Sequence, residues 1–150
     1  MTAVQCPMLF KADPVEVFVP GDPVAQGDLM CVGTRWSRKQ GRHVYLLVYK
    51  NGSKLKDWRN RIRKYVREEW RHEPTDRAVR LDLVFRFEKP SSATARREHA
   101  SRTTDLDKLV RAVFDALTGV LYTNDARVVC GWIAKEWGQP GVLIRVEELE

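Results

Sequence analysis

Asp105 and Asp107 stand two positions apart at the start of an amphipathic stretch that closes at Gly119, and a third aspartate, Asp125, follows soon after. Carboxylates crowded together repel one another, so a fold that gathers several usually neutralises them with a hard cation. Three carboxylates converging at a helix mouth would hold Mg²⁺ or Mn²⁺ through oxygen and leave positions open for water and a phosphate. Such an ion polarises a scissile phosphate and lowers the pKa of an attacking water. Arg111, one turn beyond Asp107, is spaced to stabilise charge on phosphate oxygens, and equally to form an ion pair with Asp107 or Asp115. Asp115 lies two turns into the helix and reads as structural. Asp-x-Asp alone is a weak signal, since an acid at a helix start also serves as an N-cap or dipole partner.

The surroundings are basic. The chain carries 26 Lys and Arg against 20 Asp and Glu, a net charge of +6. Half of the basic residues fall between Arg35 and Arg71, where thirteen face three acids, whereas residues 103–150 hold eight acids and five bases. That density of cations suits a polyanion such as DNA, and equally a solubilising surface. Arg35, Arg38, Lys39 and Arg42 form one set of candidate phosphate contacts, and Arg96, Arg97 and Arg102 another. Trp36, set among cations, is placed either to stack on an exposed base or to pack locally. No apolar run is long enough to span a membrane, and the first ten residues lack a signal-peptide pattern. Cys6, Cys31 and Cys130 are odd in number, without zinc spacing, and suit a reducing cytoplasm. His43, His72 and His99 show no metal spacing either.

The elements that must position these residues follow from hydrophobic periodicity. Residues 1–14 read as a leader and 15–150 as one α+β domain, a mixed sheet with two main helices packed on it. Val15 to Val19 predicts a strand stopped by Pro20-Gly21; Gly27 to Gly41 predicts a loop or ragged hairpin; Val44 to Lys50 predicts a second strand. Ser53 is placed to cap a helix running to about His72, with Leu55, Trp58, Ile62, Tyr65 and Val66 buried. Val79 to Phe87 alternates as a half-buried strand. The second helix, about Asp105 to Thr118, packs Leu106, Leu109, Val110, Val113 and Leu117 and ends at Gly119. Val128 to Lys135 and Val142 to Val146 complete the sheet. Asp125 joins the other aspartates if the turn after Gly119 folds back to the helix start. Trp58, Trp70, Trp132 and Trp137 read as core or interface residues.

The ordered run Asp105-Leu106-Asp107-Lys108-Leu109, Arg111, Asp115-Ala116-Leu117, Asn124-Asp125 and Lys135 resembles the RusA-like Holliday-junction resolvases. That family's pattern is Asp-x-Asp-Asn-Leu, a Lys, Asp-Ala-Leu, Asp-Asp, and a Lys on the following strand. Val19-Pro20-Gly21-Asp22-Pro23 is similar to the family's turn after its first strand, so the resemblance covers about residues 15–147. It implies a symmetric homodimer that resolves four-way DNA junctions by paired, Mg²⁺-dependent phosphodiester hydrolysis in a bacterial or phage-infected cytoplasm. Carried over by position, Asp105, Asp107 and Asp125 are the metal ligands and, with Arg111, the catalytic residues. Lys108 and Lys135 join Arg35, Arg38, Lys39, Arg42 and Arg102 as expected DNA contacts.

The chain departs from the pattern at Lys108 for Asn, Arg111 for Lys, Asn124 for the first Asp of its pair, Thr104 for Pro, and Gln26 for a basic residue. Arg for Lys keeps the charge and changes its geometry. Asn124 keeps an oxygen and removes a charge. Two alternatives stand beside the resolvase reading: a flap- or fork-specific nuclease, and a non-catalytic junction-binding protein.

Overall fold

The computed structural model describes residues 13–91, 98–101 and 103–149. Most of the expected leader, together with Cys6, Arg96, Arg97 and Arg102, lies outside the described residues. In chain order the elements are β1 (Val15–Pro20), β2 (Leu29–Ser37), β3 (Arg42–Tyr49), α1 (Gly52–Glu69), β4 (Val79–Phe87), α2 (Leu106–Leu117), β5 (Val128–Cys130), β6 (Ile133–Trp137) and β7 (Gly141–Glu148).

The alternation read in β4 sets the core. Val79, Leu81, Leu83 and Phe85 are buried on one face, and the antiparallel register with β7 puts Val146, Ile144 and Val142 beside Leu81, Leu83 and Phe85. β1 pairs antiparallel on the far side of β7 and adds Val17 and Val19 to the same face. Both helices cover it, α1 with Trp58, Ile62 and Val66, α2 with Leu109, Val113, Ala116 and Leu117. The sheet is mixed, because β5 and β6 lie end to end along the free edge of β4 and run parallel to it.

Three local expectations change. The strand read as Val128 to Lys135 breaks at Gly131-Trp132. There Asp82 Oδ1 accepts the Trp132 N–H (2.8 Å), Trp132 O accepts the Leu83 N–H (2.8 Å), and a Cβ on Gly131 would collide with the Leu81 carbonyl. The first helix begins at Gly52 after Asn51, not at Ser53. Asn51 spends its side chain on the loop before β2, donating to Ala25 O (2.8 Å) and accepting from Gly27 N (3.1 Å). The helix also stops at Glu69, short of His72, because Trp70 turns to extended backbone and buries its ring.

The segment read as a loop or ragged hairpin is a full hairpin. β2 and β3 pair only with each other, with a bulge between Cys31 and Gly33, and form a two-stranded sheet separate from the main one. α2 ends as expected, with Gly119 left-handed at φ 82°.

Candidate active site

α2 begins at the end of the sheet that β6 reaches. Asp105 occupies the N-cap position yet makes no side-chain cap bond, and Asp107 lies exposed in the first turn. Among the described residues neither carboxylate has a hydrogen bond or ion pair. Lys135, held on β6 opposite Phe85, donates its Nζ to Thr104 O (3.0 Å), so a cation borders the residue just before Asp105.

Arg111 is exposed and, among the described residues, has no partner. The alternative ion pair with Asp107 or Asp115 is not formed; Arg59 of α1 takes Asp115 Oδ2 at 2.9 Å instead. Asp115 is structural, as its position implied. Asp107, Lys108 and Arg111 line one wall of an open cleft of about 610 Å³; Gln26, Asp28, Leu29 and Tyr49, at the root of the β2–β3 hairpin, line the other. Lys108 Nζ meets Asp28 Oδ1 across it at 3.4 Å.

The hairpin wall is braced. Gln26 N donates to Lys108 O (3.1 Å), and its side chain donates to the Tyr49 hydroxyl (2.8 Å) and accepts from Arg59 (3.2 Å). The Arg59 guanidinium also lies 5.8 Å from the centre of the Tyr49 ring. Sequence reasoning missed Arg59, Gln26 and Tyr49 as a unit. The available signal was Arg59's place directly after Trp58 on the buried edge of α1.

Asp125 lies elsewhere. It opens a short 3-10 turn, Asp125–Arg127, leading into Val128, which pairs with Val79, whereas Lys135 pairs with Phe85. Six strand residues separate those levels, about 20 Å at the usual rise. The expected return of Asp125 to the start of α2 therefore does not occur within one chain. The turn after Gly119 closes on the C-terminal end of α2, where Gly119 N donates to Tyr122 O and Tyr122 OH donates to Phe114 O (2.9 Å). The parallel β5–β6 edge then carries Lys135, rather than Asp125, back to the helix start. Burial, then the charges of Asp125 and Asp115, push the Tyr122 phenol well above its usual range. Among the described residues, no three His, Cys, Asp or Glu side chains are gathered to hold a metal ion.

Asn124 caps that 3-10 turn, its Oδ1 accepting the Ala126 N–H at 2.8 Å. Arg35, Arg38, Lys39 and Arg42 are exposed at the far end of the hairpin. Trp36 is exposed there too, edge-on to His43 at 5.3 Å, and Trp132 is exposed on the β5–β6 edge. Trp58 and Trp70 are core residues. No described helix is long and apolar enough to cross a membrane.

A family model described as Endodeoxyribonuclease RusA matches residues 20–147. No curated protein matches the chain.

Proposed function

Starting from a chain that belongs to the RusA endodeoxyribonuclease family, we propose a Mg²⁺-dependent homodimer that resolves four-way DNA junctions by paired phosphodiester hydrolysis in the cytoplasm. The observation that carries this reading is the pair Asp105 and Asp107, two exposed carboxylates at a helix start that, like the neighbouring Arg111, have no partner among the described residues. A purely structural acid at that position would cap the helix; this one does not.

The donor set fits a hard divalent cation, Mg²⁺ or Mn²⁺, because carboxylate oxygens are its preferred ligands. One chain offers Asp105 and Asp107 at one end of α2 and Asp125 at the other. A two-fold axis lying across α2 would turn one copy end for end against its partner, and a dimer of that kind would bring Asp125 of a second copy to Asp105 and Asp107. A cation bound there would supply Lewis acidity and a water of lowered pKa.

The chain's own residues do the rest. Arg111 neutralises charge on the non-bridging phosphate oxygens, which is worth most in the transition state. Lys108 and Lys135 position the backbone on either side of Asp107. The hairpin tip, with Arg35, Arg38, Lys39 and Arg42, holds a junction arm through phosphates. Arg102 joins the same set. Two sites related by symmetry match the two equivalent strands of a four-way junction. Asn124 spends its oxygen on a turn, so its departure from the family pattern falls outside the proposed ligand set.

The test is cleavage of labelled four-way junction, flap, fork and linear duplex, each with and without Mg²⁺, by the parent and by Asp107→Asn. Symmetric junction cuts that need both Mg²⁺ and Asp107 are expected. Preferential cutting of flaps or forks would move the substrate to those structures. Junction binding without any Mg²⁺-dependent cut would make the chain a binding protein.

A further inference from the structure

The β2–β3 hairpin is built wrongly for a solvent-exposed ribbon. In its register Leu29, Leu47 and Tyr45 share one face and Met30 and Val48 the other, and all five are exposed, Tyr45 by 75% and Leu47 by 55%. A surface strand normally alternates apolar with polar residues. This one is apolar on both faces along the half nearest its root. Summed over both faces and including Trp36, its large apolar residues expose roughly 800 Å², near one partner's share of a standard interface.

Two further observations select the occupant. The same chain leaves a second apolar strip uncovered on the β5–β6 edge, where Val129, Trp132 and Ile133 are 50%, 60% and 44% exposed. Charge also limits the choice: residues 29–49 contain four Lys and Arg and no acid, so two arms lying along one another would juxtapose like charges.

We propose that β2–β3 is an exchange arm: in a pair of copies, the arm of each lies along the β5–β6 edge of the other and covers Val129, Trp132 and Ile133. This rests on the two-fold reading above and names the surface that makes it. The contact is reciprocal, as a two-fold interface requires, with the arm of the first copy on the edge of the second and the converse. The ribbon is apolar on both faces because it lies between bodies rather than on one.

The arm also divides by function along its length. Its apolar shaft docks protein, and its tip, where Arg35, Arg38, Lys39 and Arg42 gather, extends to DNA. Its root, at Leu29 and Tyr49, forms part of the cleft beside Asp107. The edge it covers runs between the levels of Asp125 and Lys135. Docking therefore ties the cleft of one copy to the edge of the other.

The experiment is mass by light scattering for the parent, for Tyr45→Glu with Leu47→Glu, for Trp132→Glu with Ile133→Glu, and for Arg38→Ala with Lys39→Ala. Circular dichroism confirms that each variant is folded, and junction binding and cleavage are read in parallel. The parent is expected at twice the 17.4 kDa chain mass. The arm and edge variants are both expected at 17.4 kDa, folded and without cleavage. The tip variant is expected to remain paired and to bind junction at least several-fold more weakly. A folded arm variant that stays paired and cleaves overturns the arm and leaves the nuclease reading intact. A paired edge variant overturns the docking surface. A monomeric parent overturns the arm and the two-fold reading together, and a monomeric tip variant overturns the division of shaft from tip.

Discussion

Asp107 and Asp115 lie two turns apart on the same helix, and their surroundings are opposite. Asp115 is clamped by Arg59, which also braces Gln26 and lies over Tyr49, so its charge is spent inside the fold. Asp107 faces an open cleft with no partner among the described residues, and neighbouring Asp105 declines the cap bond its position offers. The difference separates two uses of one side chain. A carboxylate that joins helices is paired; one left bare beside Arg111 is available to a ligand. Neither state can be read from the Asp itself, only from what the rest of the fold brings to it.

That contrast sets the order of expected effects. Asp105→Asn and Asp107→Asn should each lower junction cleavage by about three orders of magnitude or more, since each removes a proposed ligand of the cation. Their melting temperatures should match or exceed the parent's, because neither side chain has a partner among the described residues. A stability loss would place these carboxylates with Asp115 as structural groups. Arg111→Ala should cost about 10²-fold in cleavage rate through lost stabilisation of phosphate charge, with Arg111→Lys recovering part of it. An unchanged rate would remove Arg111 from the reaction.

Asp115→Asn should do the reverse. It should cost about 1 kcal/mol in urea denaturation, a modest figure because the pair is partly exposed, and change cleavage by less than the Arg111 variant does. An effect on stability of similar size belongs to Tyr122. Tyr122→Phe should lose about 1 kcal/mol with the hydrogen bond to Phe114 O. Because the folded phenol's pKa is raised above its ordinary value of 10.0, this contribution is complete below that pH. It is lost as pH rises beyond it, when the unfolded state releases the proton and the folded state keeps it. The parent's stability should therefore fall above pH 10 more steeply than the variant's.

Much of the body was legible because local periodicity governs it. β4 matches its alternation at Val79–Phe87, and α2 lies within a residue of the span read from its apolar spacing and Gly119. In the hairpin, β3 was legible as Val44 to Lys50, but β2 was read only as a loop or ragged hairpin, since a ribbon apolar on both faces has no period-two signature to detect. The break at Gly131 depends on Asp82 and the Leu81 carbonyl, which a neighbouring strand supplies. The position of Asp125 depends on β5 and β6 running parallel to β4, a choice of direction absent from their own sequence. The motif order was visible, and the family match over residues 20–147 bears it out. What local pattern could not convey was which end of α2 each aspartate occupies.

Complementation between copies tests the shared site most directly. Asp107→Asn and Asp125→Asn proteins, each inactive alone, are mixed, allowed to exchange subunits, and assayed on a labelled junction with Mg²⁺. If Asp107 and Asp125 act from different copies, every mixed dimer contains one intact site and one doubly altered site, and nicked junctions appear. If both act from the same copy, no mixed dimer has an intact site, and a mixture as inactive as its components contradicts the account.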